Sequence, residues 1–394
     1  MQQILFSFLF LFSITNASGQ LAAHYQFEQD GRALSLEEKM DSEGVPGFST
    51  YLIYGEQRDS LALGTLRQGG LQKVMATTPF PAGAMSEAPV LFELLRLSDS
   101  GEINLDEPVE KYLPELRDKR WLKFKPVTIR DLILRRRNLS GPMKPAGFAA
   151  GEQRPELARL LKAGNASITD GLFIRGNLNF RQQAQCGNAI LLQLILEKYY
   201  GKPLPEIMKE RVLKPLGMDH SFYAAELSPE QEKVAAMGHD KSGAPLPGGY
   251  RRYTELAAMG LWTTPRDYAL LVRHIIRAAK GKDNRFLKRE TAHAGLTRQS
   301  GYRSLLFHID DNGGIYWGGN AKGYFTAMQA NLDEDYIMVA FCNGDLNWPL
   351  VMGCLYQSGG WIATQRKGEQ LVLFTQPGDE ALSEGLKQKL NAYA

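Results

Sequence analysis

The strongest helical pattern in the chain lies between Thr77 and Pro114. Its apolar residues recur at the three- and four-residue spacing that turns one face of a helix towards a core. These residues are Val90, Leu91, Leu94, Leu95 and Leu97. Pro81 and Gly83 before this run predict a sharp turn, and Ser100-Gly101 after it predicts the end of the helix. The pattern therefore predicts an extended entry, a turn and then a buried helix.

Strand-like patterns lie on both sides of a helical middle. Short apolar or alternating runs bounded by turn residues predict a hairpin early in the chain and a series of strands late in it. The predicted strands are Phe48–Tyr54, Ser60–Leu66, Ser304–Ile309, Ile315–Trp317, Tyr324–Asn331 and Tyr336–Cys342. Between them, helical periodicity predicts Ala189–Tyr200, Pro205–Leu213 and, after the cap Thr264-Pro265, Tyr268–Ala279. The order indicates a mixed fold in which both ends of the chain contribute strands.

Several segments resemble the β-lactamase-related serine hydrolases, which include class C β-lactamases, DD-peptidases and esterases of the penicillin-binding-protein fold. The segments that carry the resemblance are LDEPVEKYLP (105–114), VTIRDLI (127–133), GKPL (201–204) and KPLGM (214–218). The resemblance implies an α/β (α+β) fold, with an antiparallel sheet flanked by helices and a largely helical inserted region. It places the sheet domain at residues 20–114 and 291–394 and the helical insertion at residues 115–290.

The resemblance also implies where a catalytic Ser-x-x-Lys motif would lie. Counted along the predicted helix, the nucleophile position is Ala84 and the lysine position is Glu87. A methyl group cannot attack a substrate, and an anion at position 87 opposes formation of an oxyanion. Ser86 instead suits the N-cap of the helix, and Glu87 suits its positive end.

The other two motifs of the family are replaced as well. Counted back from the helix that ends near Gly201, the Tyr-x-Asn motif falls on Ala184 and Cys186. The His- or Lys-x-Gly motif falls on Trp317 and Gly319, so that an indole replaces the cation. A glycine at the strand edge still leaves room for a ligand to approach.

Two function classes follow from these substitutions. In the first, the protein is a non-catalytic pseudoenzyme with a binding or scaffolding role. Its former cleft is either closed by Trp317 or holds a small-molecule or peptide ligand, and the candidate binding residues are Ser86, Glu87, Cys186, Trp317 and Gly319. In the second, a divergent enzyme recruits Glu87, Ser86 or Cys186, most concretely Glu87 as a general base acting on water.

Three consecutive arginines, Arg135-Arg136-Arg137, stand where the family has a histidine-containing segment. Such a run is more often a solvated face than an anion site, and we expect the former. Three cysteines without a CxxC pair predict no disulfide framework, although a single Cys342–Cys354 bridge stays open. The six histidines show no metal-ligand spacing, so we expect no metal and no cofactor.

The start of the chain changes the expected location. Residues 1–19 carry no charge and contain an apolar run followed by small residues, which predicts a signal peptide. We therefore expect a secreted or periplasmic protein with no integral membrane segment after cleavage. A net charge of +3 over 394 residues gives no reason to expect nucleic-acid binding, and the protein partner is left open.

Overall fold

The computed structural model describes residues 25–29, 32–116, 126–136, 138–140, 147–157, 173–175, 185–332, 336–345, 347 and 349–355. The predicted signal peptide at residues 1–19, Ala184 and Arg137 lie outside the described residues.

Thirteen strands, β1 to β13 in chain order, are described. They are Phe27–Gln29, Arg32–Leu34, Gly47–Tyr54, Gln57–Gly64, Phe80–Pro81, Asn138–Ser140, Phe173–Arg175, Phe222–Tyr223, Leu261–Thr263, His308–Ile309, Gly314–Ala321, Tyr324–Asn331 and Tyr336–Cys342. The main sheet has six antiparallel strands in the order β10-β11-β12-β13-β3-β4. A smaller sheet has the order β5-β9-β8. The central strands of the main sheet thus come from the two ends of the chain.

Ten α-helices, α1 to α10, are described in full. They are Leu36–Ser42, Glu87–Asp99, Val109–Tyr112, Ile129–Ile133, Gln185–Tyr200, Leu204–Met208, Pro229–Val234, Leu256–Met259, Pro265–Ala279 and Arg289–Leu296. Residues 349–355 are also helical. The five apolar positions that predict helix α2 are all buried, and the same large core contains the inward face of β11. Helix α2 is therefore enclosed by the fold, and only its N-terminal turn approaches the sheet edge.

The predicted hairpin and late strands are confirmed, but several of their bounds differ, and β4 is Gln57–Gly64 where Ser60–Leu66 was predicted. Strands β12 and β13 match the predicted Tyr324–Asn331 and Tyr336–Cys342, and β11 extends further than Ile315–Trp317. The predicted strand Ser304–Ile309 shrinks to the two residues of β10. The reason is local, because the Ser304 hydroxyl accepts hydrogen bonds from the backbone N–H groups of Leu306 and Phe307 and so stabilises a turn.

A very close backbone contact joins β11 to the entry of α2. A Cβ atom built on Gly319 would lie 2.0 Å from the Ala82 carbonyl oxygen and 2.4 Å from the Thr326 hydroxyl oxygen. Adjacent Gly318 is open, since its Cβ would meet only the Thr326 carbonyl oxygen at 3.8 Å. The packing of the turn against the sheet therefore requires glycine at position 319 and not at position 318.

We expect Gly319→Ala to lower the free energy of unfolding by about 1–3 kcal/mol, because the added methyl group meets backbone that has to move. Urea denaturation monitored by circular dichroism measures this change. Gly318→Ala, one residue away on the same strand, is the matched control and should stay within about 0.5 kcal/mol of the wild type. Equal stability of the two variants would contradict the close contact.

Candidate functional site

The nucleophile-equivalent position lies in a short 3-10 turn, Gly83–Ser86, that continues directly into α2. Gly83 has a φ of +56°, which favours glycine, and a Cβ atom there would lie 2.8 Å from the backbone nitrogen of Asn320. The structure thus places Ala84, at the start of the helix, beside the Gly318–Asn320 part of β11. This is the juxtaposition that the motif alignment of Ala84 with Gly319 implies.

Ser86 does not cap α2, so that prediction was wrong. Its backbone is already helical, with φ −58° and ψ −24°, and its side chain makes no capping hydrogen bond. The hydroxyl instead donates to the Gly83 carbonyl oxygen at 2.6 Å and accepts from the Leu261 N–H group at 3.1 Å. Ser86 is fully buried, so it braces the turn and does not face a ligand.

Two buried tyrosines donate hydrogen bonds to the backbone of the same turn. The Tyr223 hydroxyl donates to the Ser86 carbonyl oxygen at 2.5 Å, and the Tyr268 hydroxyl donates to the Met85 carbonyl oxygen at 3.3 Å. Burial raises the pKa of both tyrosines well above the usual value, so both keep their protons at neutral pH. These hydroxyls are hydrogen-bond donors to the backbone and act as structural supports.

The lysine-equivalent residue Glu87 is buried in an ion pair. Its Oε2 atom lies 2.7 Å from Nη2 of Arg135, and the two side chains are 3% and 6% exposed. A second guanidinium, that of Arg303, has its Nη2 atom 4.0 Å from the same oxygen. The Oε2 atom of Glu87 thus lies against two guanidinium groups, and the carboxylate is buried away from water.

Arg135 corrects the expectation of a solvated arginine face. Only Arg136 of the two described arginines in that run is exposed, whereas Arg135 is 7% exposed and points at Glu87. Its φ of +52° lies in the left-handed region, which costs a non-glycine residue about 1–2 kcal/mol. The buried ion pair therefore holds this backbone in an unfavourable conformation.

Arg303 lies between the ion pair and Trp317. Its guanidinium carbon is 5.5 Å from the centroid of the Trp317 ring, and its Nη1 atom donates to the Ile133 carbonyl oxygen at 3.2 Å. Burial lowers the pKa of Arg303, the adjacent charge of Arg135 lowers it further, and Glu87 raises it. Trp317 thus stands at the position where the third motif has a cation, and the guanidinium of Arg303, from another segment, lies against its indole ring.

Trp317 is part of the core. It is 3% exposed and packs against Phe307 and against His308, whose ring is stacked at 5.4 Å and 13°. Burial, with Arg303 and Arg135 nearby, lowers the pKa of His308 well below its usual value, so this ring stays neutral at neutral pH. Trp317 therefore fills the side of β11 that faces α2, and solvent reaches Ala84, Gly318 and Asn320 instead.

The second motif is described only in part. Helix α5 begins at Gln185, so the backbone of Cys186 lies in its first turn, while Ala184 lies outside the described residues. Asn188, one helical turn into α5, is fully buried and donates to the Leu132 carbonyl oxygen at 2.8 Å. This bond fixes the start of α5 against the end of α4.

The other two cysteines are both buried thiols and form no bridge with each other. Burial raises the pKa of Cys342 to about 12 and that of Cys354 well above its usual value, so neither forms a reactive thiolate. No group of metal-ligating side chains occurs within the part of the chain that the structure describes.

Sequence reasoning missed Arg135 and Arg303 as members of the site. The family motifs could have indicated Arg135, because it lies in the loop after Ile133, where the family has a histidine-containing segment. Arg303 lies in a turn outside every motif, and nothing in the local pattern marks it. In the described part of the site, charged side chains lie around Glu87, and position 84 carries a methyl group, which cannot attack a substrate.

The helices in the described part of the chain are all too short or too polar to cross a bilayer.

Solved structures with similar folds include FmtA from Staphylococcus aureus and a mutant class C β-lactamase. FmtA superposes with a TM-score of 0.64 and 20% identity over 84% of this chain and 86% of its own. The class C enzyme superposes with a TM-score of 0.60 and 18% identity over 84% of this chain and 95% of its own.

Sequence comparison agrees with the fold. A β-lactamase from Pseudomonas fluorescens is 26% identical over 265 residues, which are 62% of this chain and 64% of that relative's length, just under two thirds. The sequence model of the family described as Beta-lactamase matches residues 35–351, which is most of the chain. With the helix-flanked antiparallel sheet and the Ala84–Glu87 helix start in their expected places, the chain belongs to the β-lactamase family.

Proposed function

We propose that this chain is a non-catalytic member of the β-lactamase family, exported to the periplasm or beyond, whose former active-site cleft binds a ligand. The observation that carries the proposal is the buried Glu87–Arg135 ion pair, which occupies the place of the catalytic base one helical turn beyond Ala84. Hydroxyl activation needs an adjacent group that accepts a proton. Here the side chain at that place is a carboxylate already paired with a guanidinium, and the attacking atom is absent.

Exposed residues near the helix start support a binding role. Gly318 and Asn320 of β11 are exposed and Ala84 is half-buried, while Gly319 is buried against the turn. An exposed strand edge next to a helix start offers backbone N–H and C=O groups to a small molecule or an extended peptide. The ligand we propose is therefore a small molecule or peptide that contacts this edge, with no cofactor and no covalent step.

The second candidate function is that of a divergent hydrolase. The carboxyl group that favours it is that of Glu255, whereas the sequence suggests Glu87. Glu255 directly precedes α8, and α8 packs against the Gly83–Ser86 turn. Burial raises the pKa of Glu255 to about 7, in the range that suits a general base. Glu87, held by Arg135, is less suited to that role than Glu255.

Intact-mass spectrometry after incubation with a fluorophosphonate or a fluorescent penicillin tests the first proposal. We expect no covalent adduct on the purified mature chain, whereas an active class C β-lactamase under the same conditions should be labelled stoichiometrically. A stoichiometric adduct would show that the chain carries an activated nucleophile and would overturn the non-catalytic assignment.

Hydrolysis of p-nitrophenyl acetate separates the two candidates. The non-catalytic proposal predicts no rate above that of the heat-denatured protein. The divergent hydrolase predicts a rate that rises with pH as Glu255 loses its proton near pH 7 and that is lost in Glu255→Gln. Glu93→Gln, which alters another buried carboxylate in the middle of α2, is the control for loss of folding.

We expect Ala84→Ser to restore no acylation, because the new hydroxyl would have the Arg135-bound carboxylate of Glu87 where the family has its base. Ala84 is only half-buried, so the variant should fold with a stability within about 0.5 kcal/mol of the wild type. The same labelling experiment measures the outcome. Measurable acylation of this single variant would place the catalytic base elsewhere and refute the assignment of Ala84 and Glu87.

A further inference from the structure

The ionic cluster at the start of α2 carries more positive than negative charge. Glu87 contributes one negative charge, Arg135 and Arg303 contribute one positive charge each, and neutral His308 contributes none. The side chains of Glu87, Arg135 and Arg303 are only 3%, 6% and 12% exposed, so water screens this excess charge poorly. An enclosed cation without a counterion is costly.

Several buried polar atoms of the cluster have no hydrogen-bond partner among the residues that the structure describes. They are the donors Nε and Nη1 of Arg135 and the acceptor Oε1 of Glu87. Only the Nη2 atom of Arg135, bound to Glu87, is paired. Buried guanidinium donors are normally satisfied, and Arg135 is held in an unfavourable backbone conformation to present them here.

We propose that Arg135 and Arg303 form a binding site for a small anion, or for the anionic group of a larger ligand, beside the Ala84 turn. This inference rests on the proposed function and deepens it, since it names the ligand chemistry beside the same helix start. The anion balances the excess charge and accepts from the two free donors of Arg135. Trp317 supports the site by holding the Arg303 guanidinium against its ring face.

Glu87 has a specific role in this site. Its carboxylate competes with the external anion, because it already neutralises one of the two arginines. Removing that charge in Glu87→Gln raises the excess from one positive charge to two. The site therefore predicts that Glu87→Gln binds an anion more tightly than the wild type, the opposite of what loss of a ligand-binding residue produces.

Thermal unfolding of the full chain in increasing sodium acetate, sodium phosphate or sodium chloride tests the proposal. In the wild type, each tenfold rise in anion above its Kd should raise the folding equilibrium constant about tenfold. Arg135→Gln should lose this dependence. Arg136→Gln changes the exposed neighbour and gives the chain the same net charge as Arg135→Gln, and it should keep the dependence on anion concentration. Comparing the two variants therefore removes general effects of ionic strength.

The three salts distinguish the source of the anion. A response to acetate that exceeds the response to phosphate and chloride assigns the site to the carboxylate of an organic ligand, and a stronger response to phosphate or chloride assigns it to a free inorganic anion. Equal salt dependence of Arg135→Gln and Arg136→Gln would overturn the proposal and leave water as the partner of Arg135.

If Arg135→Gln does not fold, Arg303→Gln and Glu87→Gln decide the question. Arg303→Gln should weaken the anion dependence, and Glu87→Gln should show at least a severalfold lower Kd for the anion than the wild type. An unchanged Kd in Glu87→Gln would refute the site. Because these readouts measure binding without any covalent step, they can fail while the absence of labelling stands, and the two proposals remain separable.

Discussion

The structure around the start of α2 depends on how the buried charge of Glu87 is balanced. Removing one partner of a buried ion pair typically costs about 3–5 kcal/mol, because the remaining charge stays enclosed. Arg135 has a left-handed backbone conformation, and its Nη2 atom lies 2.7 Å from Oε2 of Glu87. The carboxylate therefore determines the course of the loop after α4, and that loop in turn brings the rest of the charged cluster together.

The charge at position 87 is reversed relative to the family motif, and neighbouring residues change the local charge in turn. In the family, the motif supplies a cation at this place, and here the helix supplies an anion. Two guanidinium groups from other segments surround it, so the local charge is again positive, although the positive charge no longer belongs to the helix. Guanidinium groups stay protonated at physiological pH and cannot act as bases. The local charge is thus retained in sign, while the residue that takes the place of the family's lysine is a carboxylate paired with a guanidinium.

Local patterns in the sequence predict most of the fold and part of this site. The periodicity of α2, the bounds of β12 and β13 and the contact of the Ala82–Gly83 turn with Gly319 follow from residues close together or from the family motifs. The Glu87–Arg135 pair joins residues 48 positions apart, and Arg303 comes from a third segment. Only three-dimensional packing shows that such residues are buried together, so the expectation of a solvated face was wrong for Arg135, although Arg136 is exposed.

The glycine at position 319 shows that the binding edge and the chemistry of this fold are separable. Its backbone contact with Ala82 keeps the helix start against β11, whether or not residue 84 carries a hydroxyl group. The same geometry leaves Gly318 and Asn320 accessible on the strand, with Trp317 filling the opposite face. The contact at Gly319 is made with backbone and with Thr326, so it does not depend on the side chains at Ala84, Glu87 and Trp317. On the non-catalytic proposal, those three side chains can therefore differ from the family motifs while the helix start keeps its place, and charged residues from neighbouring loops define what the site binds.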